Sequence, residues 1–402
     1  MESYLDYAAA TPMAPEVAEA MLPYLGERFW NPSAPYALAR SAKADLEDAR
    51  VRLAHALGAR ADNLVITAGA TEANNLALAS SQGAILTDSI EHESVLACAR
   101  SREHRILGVQ ADGRLRAEDV ASALDASVGL VSLELANGEV GAIQPVREVS
   151  RAVCDERARR LREGEGRPIW LHVDASQAAG LLSVNVSSLG ADLLTLSAAK
   201  IYGPKQVGLL WAADGVVLRP LVLGGGQEGG VRSGTENVAG AVAFACALEL
   251  AQKLRKEEAA RLSGLRNRLQ VRLLGRFPWA WVAGPSKDKW RLPNLLHVSF
   301  PLLEARRLVI LLERRGVSVG TGSACAASRM RVSHVLAALG VPEEVAMGSL
   351  RITLGRPSTQ EELDFAAEAL EDAVSGEMAR LGLTEARMAA ESARLRREGG
   401  AR

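Results

Sequence analysis

The chain has no run of about eighteen apolar residues free of charge, which excludes a membrane-crossing helix. Its opening, MESYLDYAAATP, has neither the basic nor the apolar segment of an export signal, and a cytoplasmic protein is expected. Cysteine is scarce. Cys98, Cys154, Cys246 and Cys325 are far apart and form no CxxC pair, so neither a zinc site nor a disulfide framework is expected. The first three read as small core residues. Excess charge of one sign is missing as well: 47 Lys and Arg against 48 Asp and Glu leave −1, so no global field draws the chain to nucleic acid or an anionic membrane. The 36 glycines and 15 prolines are ordinary usage, too few for a linker-dominated chain. What is there is 402 residues, 48% hydrophobic and 24% charged, the profile of a globular protein of two or three domains with a small, nearly neutral ligand.

From about residue 63 to 211, short β-rich runs alternate with helical stretches: LVIT (64–67), AILT (84–87), GLVSLEL (129–135), IWLHV (169–173) and DLLTL (192–196). This alternation predicts an α/β fold with a mostly parallel sheet. Residues 70–80 and 145–161 carry apolar residues at helical spacing, and Pro145 suits the first turn of the second. Residues 236–274 predict a long helix with a solvated charged face, joining this domain to a smaller α+β one. There NLLHVSF (294–300) and LRITL (350–354) read as strands and 302–315 as a helix. Ser358 or Thr359 opens a further helix, since both precede a glutamate at capping-box spacing. From Thr384 the chain is rich in Ala, Arg and Glu, and predicts a frayed amphipathic helix or a partner-docking tail.

Several residues at strand ends point to chemistry. Gly69-Ala70-Thr71 follows LVIT and opens a helix, where backbone N–H groups and a hydroxyl suit a phosphate; an ordinary capped turn is the plainer alternative. Asp174 ends the run IWLHV at the carboxyl end of a strand, where α/β sheets gather their ligands. Lys200 follows DLLTL after a small-residue turn. A phosphate cup, a strand-end acid and a strand-end lysine are what pyridoxal phosphate requires: an anion site, a carboxylate for the ring nitrogen and an amine for a Schiff base. His92 lies on the same side of the sheet, either a structural histidine or a proton carrier. Cys325, in SVGTGSACAAS, sits among small polar residues and reads as a reactive thiol rather than a core cysteine. Arg351 starts a strand, where its fork suits a carboxylate.

With these residues in view, the chain resembles the cysteine desulfurases, pyridoxal phosphate enzymes of fold type I related to the class V aminotransferases. The likeness runs through YLDYAAATP, NPSAPYALAR, GATEANNLA, EHESVL, ANGEVG, HVDASQAAG, KIYGPKQVG, GGGQ with VRSGTEN, RLPN, GSACAAS, SHVLAALG and LRITLGR. It implies a mostly parallel, seven-stranded sheet in a large domain (14–260), with a smaller α+β domain from 1–13 and 261–383 and a tail from 384 to 402. It also implies a homodimer with shared active sites. Lys200 would carry the cofactor as a Schiff base, Asp174 would pair with the ring nitrogen and Gln177 would reach the ring hydroxyl. His92 would stack on the ring and move protons, and Asn137 would join the cofactor contacts. Ala70, Thr71 and Ser197 would hold the phosphate with Thr235 of the partner subunit. Asn31 and Arg351 would bind the carboxylate of L-cysteine, and Cys325 would take the sulfur as a persulfide, releasing alanine. The interval from Cys325 to His334 resembles the long loop of the branch that delivers sulfur to iron-sulfur scaffolds and thiolation factors.

Four positions depart from the family pattern: Ala199 for a histidine before the lysine, Gly138 for the second asparagine of Asn-Asn-Glu, Gly229 for an arginine, and Tyr36 for a histidine near the cleft. Lost polar contacts at about 1 kcal/mol each predict a looser cofactor. Two alternatives stay open at this stage: a selenocysteine lyase and a degenerate sulfur-transfer scaffold.

Overall fold

Seven strands form the central sheet of the computed structural model, which describes residues 2–322 and 333–399. In chain order the strands are β1 (Ser3–Leu5), β2 (Leu64–Thr67), β3 (Ala84–Asp88), β4 (His104–Leu107), β5 (Val128–Glu134), β6 (Trp170–Asp174), β7 (Leu193–Ser197), β8 (Gly208–Ala212), β9 (Trp281–Ala283), β10 (Leu295–Ser299), β11 (Val317–Val319) and β12 (Ser349–Thr353). The central order is β2-β8-β7-β6-β5-β3-β4. Strands β4, β3, β5, β6 and β7 are mutually parallel, and helices cover both faces, which is why β3, β5 and β7 read as unbroken apolar runs. The link 198–207 is too short for the crossover that a parallel strand needs, and β8 accordingly runs antiparallel to β7. Five strands escape sequence reading: in the central sheet β4, half-exposed at the edge with the sequence HRIL, and β8, and outside it the three-residue β1, β9 and β11.

A second core gathers Leu5, the antiparallel sheet β12-β10-β9 and the parallel pair β1-β11. The helix Val238–Arg276 serves both cores, Val238 to Ala251 packing into the first and Leu262 to Leu273 into the second. Thr359, not Ser358, caps the helix Gln360–Arg380: its hydroxyl accepts from the Glu362 N–H while the Glu362 carboxylate accepts from the Thr359 N–H. The Ser358 hydroxyl accepts instead from the Gly355 N–H. Pro145 stands just before the helix Val146–Glu163 rather than in its first turn.

Two expectations need correction. Of the three described cysteines, Cys98 and Cys246 are half-buried and pack against the hydrophobic cores, while Cys154 is exposed, because it lies one position off the buried stripe of Val146, Val149 and Val153. The last helix, Glu385–Gly399, is not frayed. It buries Met388 and Leu395, Trp281 Nε1 donates to Ser392 Oγ at 2.8 Å, and Arg396 stacks 5.2 Å from the Trp281 ring centroid. No helix among the described residues is long and apolar enough to cross a membrane.

Candidate active site

The parallel strands β3, β5, β6 and β7 each end on a buried polar residue: Asp88, Glu134, Asp174 and Ser197. Asp174 is met by two neutral donors, Asn74 Nδ2 at 2.7 Å and the Ser176 N–H at 2.9 Å, and by no lysine or arginine among the described residues. Its register neighbour on β5 is Glu134. Burial, with the charge of nearby carboxylates, holds Glu134 and Glu91 well above the usual carboxyl range, and burial pushes Asp88 up to about 6. Burial and the neighbouring charges, that of Asp174 among them, thus favour the protonated form of the carboxyl beside Asp174. Two residues back on the same face, His172 sits between the Ser132 and Thr195 hydroxyls, 2.9 Å from each, and burial drives its imidazole down to about 4.

Lys200 follows β7 and donates to the carbonyls of Ala8 and Ala9, both at 2.7 Å. Burial first, then the positive charge of Arg351, pull its amine down to about 8, against the opposing pull of Asp6 and Asp174. The Ala8–Thr11 segment is itself held in place. Gln177 Nε2 donates to the Ala8 carbonyl at 3.1 Å, and the Thr11 N–H and hydroxyl both donate to the Ala199 carbonyl, at 3.1 and 2.9 Å.

The helix Ala70–Ala79 opens with no side-chain cap, so its first N–H groups are free to meet an anion. Gly69 before it has φ 139°, a conformation that favours glycine, and a Cβ on Gly208 would lie 2.6 Å from the Gly69 carbonyl carbon. Both glycines are thus required for the tight crossing that presents this helix end. Thr71 is exposed there, and Ser197 lies at the neighbouring strand end.

His92 caps the helix Glu93–Arg100, its Nδ1 accepting from the Ser94 N–H at 3.1 Å and lying 2.7 Å from Ser94 Oγ. Asn74 Nδ2 also donates to Ser94 Oγ, at 2.9 Å. A chain of hydrogen bonds therefore runs from His92 through Ser94 and Asn74 to Asp174. Sequence reading singled out both ends and neither link. Asn74, one helical turn beyond Thr71, was legible only as a polar residue on the same face.

Arg351, buried on β12, donates from Nη2 to Asp6 Oδ1 at 2.8 Å and from Nη1 to the Gly138 carbonyl at 3.2 Å. Its cross-strand neighbour His297 is fully buried and driven down to about 3, by burial first and by the Arg351 charge second. Asn31 is exposed, its Oδ1 accepting from the Ser33 N–H at 2.9 Å. Asn137 has no bond left to give: Nδ2 donates to Ile90 O and Glu134 Oε1, and Oδ1 accepts from the N–H groups of Glu139 and Val140. These bonds fix the 137–144 loop at the carboxyl end of β5. Cys325 lies outside the described residues. The chain on either side of it returns to the site: a Cβ on Gly322 would lie 2.7 Å from Glu139 Oε1 and 3.3 Å from the Cβ of Ser333.

Residues 3–365 match the family described as aminotransferase class-V. The chain is 39% identical to cysteine desulfurase IscS of Dictyoglomus turgidum over 92% of its own length and 94% of that protein's. Cysteine desulfurase IscS 1 of Archaeoglobus fulgidus is likewise 39% identical, over 91% of this chain and 95% of its own. The chain belongs to the cysteine desulfurase family. The solved structure of a NifS-like protein superposes on it with TM-score 0.84 at 32% identity, covering 94% of this chain and all of the other. A second, described as SspA in complex with cysteine, gives TM-score 0.74 at 30% identity, covering 88% of this chain and 98% of that one.

Pyridoxal 5'-phosphate is the cofactor of cysteine desulfurases, and this site fits it on its own terms. A part-buried amine is held well below the usual lysine range, a buried carboxylate lacks a cationic partner among the described residues, and an uncapped helix start is ready for a phosphate. Two of the four departures from the family pattern, Gly138 and Gly229, have local reasons. A Cβ on Gly138 would come 2.9 Å from the Gln177 side chain, so glycine there makes room for Gln177 against Ala8. Gly229 has φ 65°, where an arginine would be strained. Ala199 supplies its carbonyl to Thr11, and Tyr36 is exposed at the start of the helix Ala37–Leu57.

Proposed function

We propose that this cysteine desulfurase converts L-cysteine to L-alanine, with the sulfur carried as a persulfide on Cys325 and passed to an acceptor protein such as an iron-sulfur scaffold or a thiolation factor. The observation that carries this reading is that the part-buried Lys200, just past the carboxyl end of β7, lies close enough to Asp174 and Arg351 for the charges of both to act on its amine. Bound there, pyridoxal phosphate supplies an electron sink conjugated to the substrate amine. Lys200 would hold it through its side-chain amine. Asp174, kept in place by Asn74 and the Ser176 N–H, would favour a proton on the ring nitrogen. The Ala70 N–H, Thr71 and Ser197 would hold the phosphate, Gln177 the ring hydroxyl, and His92 would lie against the ring and move protons. Arg351, with Asn31, grips the substrate carboxylate.

The sulfur step balances without an outside redox partner. The Cys325 thiolate attacks the substrate sulfur, an S–S bond forms, the substrate C–S bond breaks, and its electron pair ends in a C–H bond of alanine. The three described cysteines are free thiols, which supports the cytoplasmic location that the sequence suggests. A homodimer is supported by the 224–235 loop. Glu228 fastens it to the sheet edge, accepting from the Ile66 N–H at 2.8 Å and from Arg50 at 2.9 Å through both carboxylate oxygens, while Thr235 beyond it is exposed. In a homodimer Thr235 would serve as a phosphate donor to the partner subunit's site.

Mass spectrometry of the Cys325 peptide after brief exposure to L-cysteine, without reductant, is expected to show a gain of one sulfur atom that dithiothreitol removes. An unmodified Cys325 in cofactor-loaded protein that still releases alanine would refute the persulfide.

A further inference from the structure

One short segment engages both cations of the site. The carbonyls of Ala8 and Ala9 accept from the Lys200 amine, and two residues earlier the Asp6 carboxylate accepts from Arg351 Nη2. The backbone of Asp6 is fixed by a bridge to Thr353, by the Tyr4 hydroxyl at 2.9 Å and by the Ala9 N–H at 2.9 Å, so its side chain is aimed rather than free. Gly320 closes over the pair: a Cβ there would lie 2.7 Å from Asp6 Oδ1 and 3.2 Å from Arg351 Nε. Asp6 is the one anion paired with Arg351 among the described residues. Its side chain is 22% exposed against 9% for Arg351, so the carboxylate is the more solvent-accessible member of the pair.

We infer that Asp6 is a specificity-determining residue, an internal stand-in for the substrate carboxylate that any amino acid binding at Arg351 must displace. The inference rests on the reading that Arg351 grips that carboxylate. Its physical content is a competition. With Asp6 in place the arginine is already neutralised, and an incoming carboxylate gains only the difference between two ion pairs. Substrate and product share the α-carboxylate, so the same residue that weakens L-cysteine binding also speeds release of L-alanine. A thiol amine without a carboxylate has no stake in the contest.

The test compares wild type, Asp6→Asn and Asp6→Ser, each loaded with cofactor and matched for loading and thermal unfolding. The dissociation constant for L-alanine is read by visible-absorbance titration, and KM is measured for L-cysteine and for cysteamine. Removing the competitor is expected to tighten L-alanine binding and lower KM for L-cysteine by about three- to tenfold, with the value for cysteamine unchanged. Unchanged or weakened L-alanine binding in both variants would overturn the inference. Arg351→Lys in parallel separates the two ideas. If it leaves L-cysteine KM unchanged, the carboxylate seat is elsewhere; if it raises KM while the Asp6 variants do nothing, the seat stands and the competition falls.

Discussion

Lys200→Ala is expected to abolish turnover, with a loss of roughly three orders of magnitude or more in kcat, and to remove the visible absorbance of covalently held cofactor. The amine is the only covalent tether in the proposed scheme, and Ala8 and Ala9 present it by their carbonyls alone. Burial and the Arg351 charge oppose an ammonium there, the charges of Asp6 and Asp174 favour one, and the balance stands at about 8. Imine formation needs the neutral amine, which is populated above that value. About a tenth of Lys200 is neutral at pH 7 and roughly nine tenths at pH 9, so covalent loading of cofactor-free protein should accelerate about tenfold across that interval. A loading rate independent of pH, or retained absorbance in Lys200→Ala, would remove Lys200 from this role.

Asp174→Asn should leave the cofactor covalently bound but depress kcat by about two to four orders of magnitude. The amide keeps the shape and can still meet the Ser176 N–H, so the fold should hold. What it loses is the charge that retains a proton on the ring nitrogen, and no neighbour replaces it. Burial drives the His172 imidazole down to about 4, and burial raises Glu134 well above the usual carboxyl range. The variant's visible spectrum should change with pH where that of the wild type does not. Full activity with full loading would mean that the ring is protonated by some other group.

The residues that carry chemistry were legible where a strand's apolar run ends on an out-of-place polar residue: Asp174 after IWLHV and Lys200 after DLLTL stand out against their neighbours. Long buried strands and the 39-residue helix were readable for the same reason, since one continuous pattern decides them. The supporting residues were not. Asp6 sits in YLDYAAATP, and nothing in that string shows that it meets Arg351, 345 positions away. Asn74 and Ser94 are ordinary helix residues until the fold sets them between His92 and Asp174. Cys154 misled because a half-apolar side chain near a buried stripe looks like part of it, and one helical position turns it to the surface. The family departures were read as losses, yet Gly138 and Gly229 each suit a geometry that a larger residue would strain.

The most direct test of the central claim is the release of alanine and sulfide from L-cysteine with a thiol reductant, wild type against Cys325→Ala at equal cofactor loading. Equal amounts of both products from the wild type, vanishing in the variant, are predicted. Product release that survives in Cys325→Ala, or a fully loaded wild type that yields neither product, would contradict desulfuration through this cysteine.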